Sequence, residues 1–308
     1  MSTTSPRGDC SFSNTFKGVL CFLLATTAAA SFVENVMFCL IVYLNKKLHK
    51  RANILIVSLS FVDLIISITI PIIEIIYIYE YPRWSPGSLG TNLQNGLWCF
   101  SLVAPFVMVT AITVDRYFAV SATAKYRAFA TPKLILVSTV GIWAYCLLWT
   151  LAMVFTFTPA PNNYYVWNVH EKLYYAFMVL HIIVPLFIIP LLYYKIVIVA
   201  RQSRQAVENQ GSTSTRLKYE IKLSKTIAFV ICFLYIVWLP VVALEIVYNF
   251  DFSACTVKQA GVVSVWLTCT NGILNPIVYS YRNADFQQYV KNIFKMISCK
   301  RAQEENRV

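Results

Sequence analysis

Seven stretches of this chain are apolar for longer than the hydrocarbon core of a bilayer is thick, and few folds survive that fact. They cover residues 18–44, 53–79, 97–122, 134–157, 173–200, 224–249 and 260–281, against the roughly 20 residues that a spanning helix needs. In hydrocarbon every backbone N–H and C=O must find its partner inside the protein, which leaves helices and closed barrels. None of the seven alternates polar with apolar residues as a barrel strand does. The expected fold is all-α: a seven-transmembrane helix bundle over residues 18–281, a tail over 1–17 before it and a surface segment over 282–308 after it.

Composition closes off the soluble alternatives. A hydrophobic share of 58% with 13% charged residues is too apolar for a nucleic-acid binder, although the net charge is +12. Disorder fails on the same ground. The nine cysteines are scattered, mostly inside apolar runs, so they do not form a disulfide framework. The basic excess reads instead as topology. Of the 26 Lys and Arg, 21 fall on one set of connectors, among them Lys46, Lys47, Arg127, Lys133, Arg201, Arg216 and the segment from Arg282 on. By the positive-inside rule the C-terminus lies in the cytoplasm and the N-terminus outside, as in a multi-pass plasma-membrane protein. The first 17 residues are polar and show no cleavable signal peptide, and no N-x-Ser/Thr sequon lies on the outer side.

An ionisable side chain inside a span is costly and is a functional hypothesis by default. Those present are Glu34, Asp63, Glu74, Asp115, Arg116, His181, Glu220 and Glu245. Asp115-Arg116-Tyr117 closes the third span on its basic side, and Glu220 opens the sixth on that same side. A carboxylate beside Arg116 and another across the bundle make either a static ion pair or a latch that can open. Pro240, 20 residues past Glu220 and about 30 Å along the axis, removes a backbone hydrogen bond next to Trp238 and bends or hinges the sixth span.

Those residues belong to an ordered set. Asn35, Asp63, Arg116, Trp143, Pro185, Trp238-Leu239-Pro240 and Asn275-Pro276-Ile277-Val278-Tyr279 place one marker in each of seven consecutive spans. In this the chain resembles the rhodopsin-like (class A) G-protein-coupled receptors, over residues 18 to 297. The resemblance implies that outward movement of the sixth helix separates Arg116 from Glu220 and opens a cleft for a heterotrimeric G protein, with Tyr193 and Tyr279 turning inward. It also implies arrestin and a receptor kinase as partners at that face. Pro185, Phe106 and Leu234 match the family's packing triad, with the aromatic ring moved from the sixth helix to the third. Asp63 stands at the family's sodium-site carboxylate, with Asn35, Asn271 and Asn275 as its polar network. The third-helix hydroxyl that usually helps to hold the ion is Pro105 here, which offers no side-chain oxygen.

Two further departures bear on the outer half. The family's usual disulfide is missing, since Thr91 takes the third-helix position and no cysteine lies between Tyr164 and Tyr175. Cys10 and Cys255 lie outside and are open either to pairing or to remaining thiols. The missing bridge, with Glu34-Asn35, makes the chain similar to the melanocortin, lysophospholipid and cannabinoid branch. Trp98 stands where amine receptors carry an Asp and Cys269 where opsins carry a Lys, so the resemblance implies neither an amine nor retinal. Glu74, Glu245 and His181, with Trp98 and Trp266, are the candidate contacts for a small-molecule, lipid or peptide ligand. For His181 an interhelical hydrogen bond is the preferred reading.

Past Tyr281, Phe286, Val290, Ile293, Phe294 and Ile297 recur at helical spacing with Lys291 and Lys295 between them, which predicts a short amphipathic helix on the cytoplasmic surface. Cys299, beside Lys300 and Arg301, fits a palmitoylation site. A seven-span transporter or channel is the alternative, but it would show broken helices or an inverted repeat with charges at mid-depth, whereas the charges here gather at one end. A membrane hydrolase is disfavoured: His49, His170 and His181 share no metal-ligand spacing, and the sequence predicts no metal site, no further cofactor and no enzyme activity.

Overall fold

The computed structural model describes residues 11–49, 51–80, 87–121, 126, 129–156, 176–208, 215–248, 255–282, 286–292 and 295. Among them the structure is helical, without strands. The helices are α1 (Asn14–Leu44), α2 (Arg51–Glu80), α3 (Gly87–Ser121), α4 (Pro132–Thr156), α5 (Val184–Glu208), α6 (Thr215–Tyr248), α7 (Cys255–Cys269) and α8 (Asn271–Arg282). Six spans are long and apolar enough to cross a membrane, and the stretch Ala228–Leu244 of α6 is a shorter apolar one. The seventh span is α7 and α8 together, Cys255–Ser280.

Burial sets the layout. In α3, 72% of the most apolar window is buried, against 17% for α4 and 22% for α1 and α5. α3 is therefore the central post, packed against α2, α4, α5 and α6. Phe22, Phe155 and Phe187 stay at least two-thirds exposed, a lipid-facing surface rather than a solvent one. At its start α1 is capped by Ser13, whose Oγ accepts from the Phe16 N–H at 3.2 Å. α3 begins ten residues before the apolar run that predicts it, because hydropathy cannot see the polar turns from Gly87 to Gly96. Those turns are packed: Gln94 and Asn95 are buried, and a Cβ on Gly96 would collide with Val154 of α4.

Prolines interrupt the spans, and their neighbours repair two of the breaks. A proline at position i withholds a donor from the carbonyl of residue i−4. Pro276 does so to Gly272, and the Asn35 side chain on α1 donates to that carbonyl at 2.8 Å. Pro190 does so to Leu186, and the Tyr235 hydroxyl on α6 donates there at 2.7 Å. Both repairs cross between helices, so each break in a span is also a tie to its neighbour. Ahead of α5 the backbone widens into a π-helical turn, Val179–Ile183, closed by the Val184 N–H on the Val179 carbonyl.

Candidate functional site

Asp63 sits in the middle of α2 with 2% of its surface exposed, and Asn275 of α8 donates to its Oδ2 at 2.8 Å. Beside it lies a cavity of about 10 Å3, on the scale of a single water-sized occupant. Its polar lining is Asp63, Ser31, Ser101, Thr268 and Asn271. Asn271 Oδ1 and Trp238 Nε1 are buried there and find no hydrogen-bond partner among the described residues. Ser101 and Thr268 spend their protons on the carbonyls of Trp98 and Val265, which leaves their hydroxyl oxygens free to accept. Pro105 does line the cavity, as its position in α3 predicts. Ser101, one helical turn away and on the same face, brings a hydroxyl to the cavity lining.

Close packing holds this centre together. Asn35 donates through one nitrogen both to Ser31 of its own helix and to Gly272 of α8, at 2.8 Å each. A Cβ on Gly272 would strike Ser31 Oγ and lie 3.3 Å from Asp63 Cβ, so only glycine lets α8 approach α1 and α2 this closely.

Above the cavity, Trp238 meets Phe106 edge-on with ring centroids 5.4 Å apart. Phe106, Leu234 and Trp238 are buried at 0%, 0% and 2% exposure, and Pro185 is buried as well. The ring moved from the sixth span to the third thus lands against the tryptophan that precedes Pro240. Tyr235, one turn earlier on the face toward α5, makes the Leu186 bond described above.

At one end of the bundle Arg116 is buried at 3% exposure and Asp115 at 12%. The Arg116 Nε donates to Asp115 Oδ2 at 2.9 Å, a second guanidinium nitrogen donates to the same oxygen, and the Tyr126 hydroxyl donates to Oδ1. Asp115 therefore accepts three hydrogen bonds from two residues, one of them in the connector after α3. Tyr117 stacks edge-on against Phe118 rather than joining this pair. Tyr279 is buried at 5% exposure in the zone between Asp63 and Arg116, and its hydroxyl finds no partner among the described residues. Tyr193 packs against the same core. The Glu220 side chain lies outside the described residues.

The opposite end is only partly described: Cys10 and the Glu245 side chain lie outside the described residues, as does Cys299 in the segment after Arg282. Cys255 is disulfide-bonded. Glu74 is buried at 5% exposure beside the buried Trp98, so these two candidates do stand together. Trp266 packs against the apolar cluster that contains Trp98, and its Nε1 donates to Thr27 Oγ1 of α1 at 3.0 Å. His181 turns to the α4 interface. Its Nδ1–H donates to the Phe177 carbonyl at 3.0 Å, which leaves Nε2 to accept from the Tyr145 hydroxyl at 2.8 Å. Trp149 and Phe177 enclose the ring, with centroids 4.7 and 4.9 Å away, so His181 takes the interhelical role.

Sequence reasoning missed Ser31, Ser101, Tyr126 and Tyr235. The two prolines could have flagged the freed carbonyls but not the side chains that find them.

Comparison with known proteins agrees with this layout. The chain matches the family described as 7 transmembrane receptor (rhodopsin family) over residues 34–279. It is similar to the histamine H2 receptor of Canis lupus familiaris, 27% identical with 90% of this chain and 78% of the relative covered. Similar again are the adenosine receptor A2b of Gallus gallus, 26% identical over 93% of this chain and 91% of the relative, and the melatonin receptor type 1A of Phodopus sungorus, 27% identical over 89% and 79%. With Asn35, Asp63, Trp238 and Asn275 set at the helix contacts just described, and the family match covering most of its length, the chain belongs to the rhodopsin family of seven-transmembrane receptors.

Proposed function

We propose that the protein is a plasma-membrane receptor, N-terminus outside and C-terminus in the cytoplasm, that binds an extracellular ligand in the outer half of the bundle and activates a heterotrimeric G protein by outward movement of α6. The observation that carries this is the buried polar path Asp63, Asn275, Tyr279, Arg116, running through an otherwise apolar bundle and ending on an arginine held by Asp115. A buried hydroxyl without a partner, as on Tyr279, is costly, and a second arrangement that gives it one is correspondingly favoured. Asp115, Arg116, Tyr117, Tyr193, Glu220, Trp238, Pro240, Asn275, Pro276 and Tyr279 are the proposed switch, with receptor kinase and arrestin as later visitors to the same face.

The ligand contacts proposed are Glu74 and Trp98, with Glu245 from α6. A buried carboxylate beside an indole suits a ligand with a cationic or hydrogen-bond-donating group, whether small molecule or peptide arginine. Similarity to a histamine receptor does not carry the amine with it, because Trp98 fills the position of the amine-binding Asp. At the Asp63 cavity the oxygens of Asp63, Ser31, Ser101, Thr268 and Asn271 fit a sodium ion, and the unsatisfied Asn271 Oδ1 supports that fit. Such an ion would add charge balance at Asp63.

The test is a ligand-library screen on cells expressing the receptor with a panel of G-protein dissociation sensors, run beside Glu220→Ala. A ligand-dependent signal and raised basal signalling in the variant are expected. A well-expressed receptor that never moves any sensor, with the variant equally silent, would overturn the reading.

A milder restraint is testable in the same assay. Tyr235→Phe leaves the Leu186 carbonyl without its donor and removes one tie between α5 and α6, about 0.6 to 1 kcal/mol in a bundle of this kind. Basal signalling should rise roughly three- to fivefold at equal surface expression. A fall, or no change, would show that the tie does not hold α6 in.

A further inference from the structure

Between α1, α8 and the helical residues 286–292 lies a groove of about 540 Å3, well within the size range of sites for drug-sized molecules. It opens on the lateral surface of the bundle, away from the Asp63 cavity and the Glu74 pair. Met37 and Phe38 of α1, Ile277 of α8 and Val290 of the 286–292 helix form its walls. The stack of Phe286 on Phe38, centroids 5.6 Å apart, fixes that short helix as its floor.

The two ends of the groove differ in charge. Lys291 stands at the floor and is exposed. Glu34, one turn along α1 from Phe38, lines the deep end, where one of its carboxyl oxygens is buried with no hydrogen-bond partner among the described residues. A cation at headgroup depth, apolar walls above it and an acidic group deeper in make a site with polarity. An anionic head is drawn to Lys291 and kept from the Glu34 end, while a hydrocarbon chain covers the walls.

We propose that this groove seats one acyl chain of an anionic glycerophospholipid from the leaflet on which the 286–292 helix lies, with the phosphate on Lys291. On the orientation given above, that is the cytoplasmic leaflet. Of the proposed switch residues only Pro276 lines the groove, and lipid retention is read without any G protein, so the site stands or falls separately from coupling.

The test uses the full-length receptor in nanodiscs of phosphatidylcholine with a minor share of phosphatidylserine, released and counted for retained lipid by native mass spectrometry. Wild type is expected to retain phosphatidylserine in preference to phosphatidylcholine. Lys291→Glu should cut that retention about fivefold, the effect expected of one basic residue at the surface. Lys295→Glu removes another exposed cation, one outside the groove lining, and should leave retention near wild type. Ile277→Trp, which fills the groove and leaves every charge in place, should also lower it. Equal losses from the two lysine variants would mean surface charge only and would overturn the site. So would equal retention of the two lipids by wild type, or full retention by the filled groove.

Discussion

Asp115→Ala is expected to raise ligand-independent G-protein signalling by roughly thirtyfold at matched expression. The reasoning is local. Arg116 is buried, and Asp115 accepts from it twice through one oxygen while holding Tyr126 with the other. A hydrogen bond to a charged group is worth about 2 kcal/mol, and its loss weakens only the arrangement in which it is made. If that arrangement is the closed one, 2 kcal/mol is about a thirtyfold change in the two-state ratio. Asp115→Asn keeps an acceptor and should do less, and Tyr126→Phe, which spares the arginine, less again. Sensor traces in which all three variants match wild type would show that the pair is static.

Gly272→Val is expected to give the largest loss of stability of any single change at the polar centre, about 3 kcal/mol, read as a lowered thermal midpoint of the purified receptor. Alanine meets Ser31 Oγ first, which can rotate away at the cost of its weak 3.4 Å bond from Asn35, so Gly272→Ala should cost nearer 1 kcal/mol. Valine also presses toward Asp63 and pushes α8 off α1, breaking the Asn35 bond to the Gly272 carbonyl. Adding Ser31→Ala should restore most of the alanine loss and little of the valine loss. This double-mutant comparison isolates the contact from any general intolerance of α8. Gly272→Ala and Gly272→Val proteins as stable as wild type would remove the close approach from the account.

The seven spans were legible because hydrocarbon imposes one rule on every residue that enters it, and length alone then counts the helices. A pairing that follows from depth was legible too, Asp63 with Asn275, whereas the edge contact of Phe106 with Trp238 was not. What the sequence hid were contacts set by rotation rather than depth. The Trp266 indole N–H reaches Thr27, and His181 turns to Tyr145. The Ser101 hydroxyl was hidden because it reaches the cavity from one turn before Pro105, a register that spacing from Arg116 does not mark. The Asp115–Tyr126 bond joins a helix to its following connector, where no period guides a reader.

The two mended prolines impose an order of events. A rod weakened at one point ordinarily flexes there first, but α5 and α8 are fastened to an adjoining rod where they are weakest. Tyr235 must let go of Leu186, and Asn35 of Gly272, before either span can flex at its soft point, so the bundle loosens by releasing grips between rods and only afterwards by bending them.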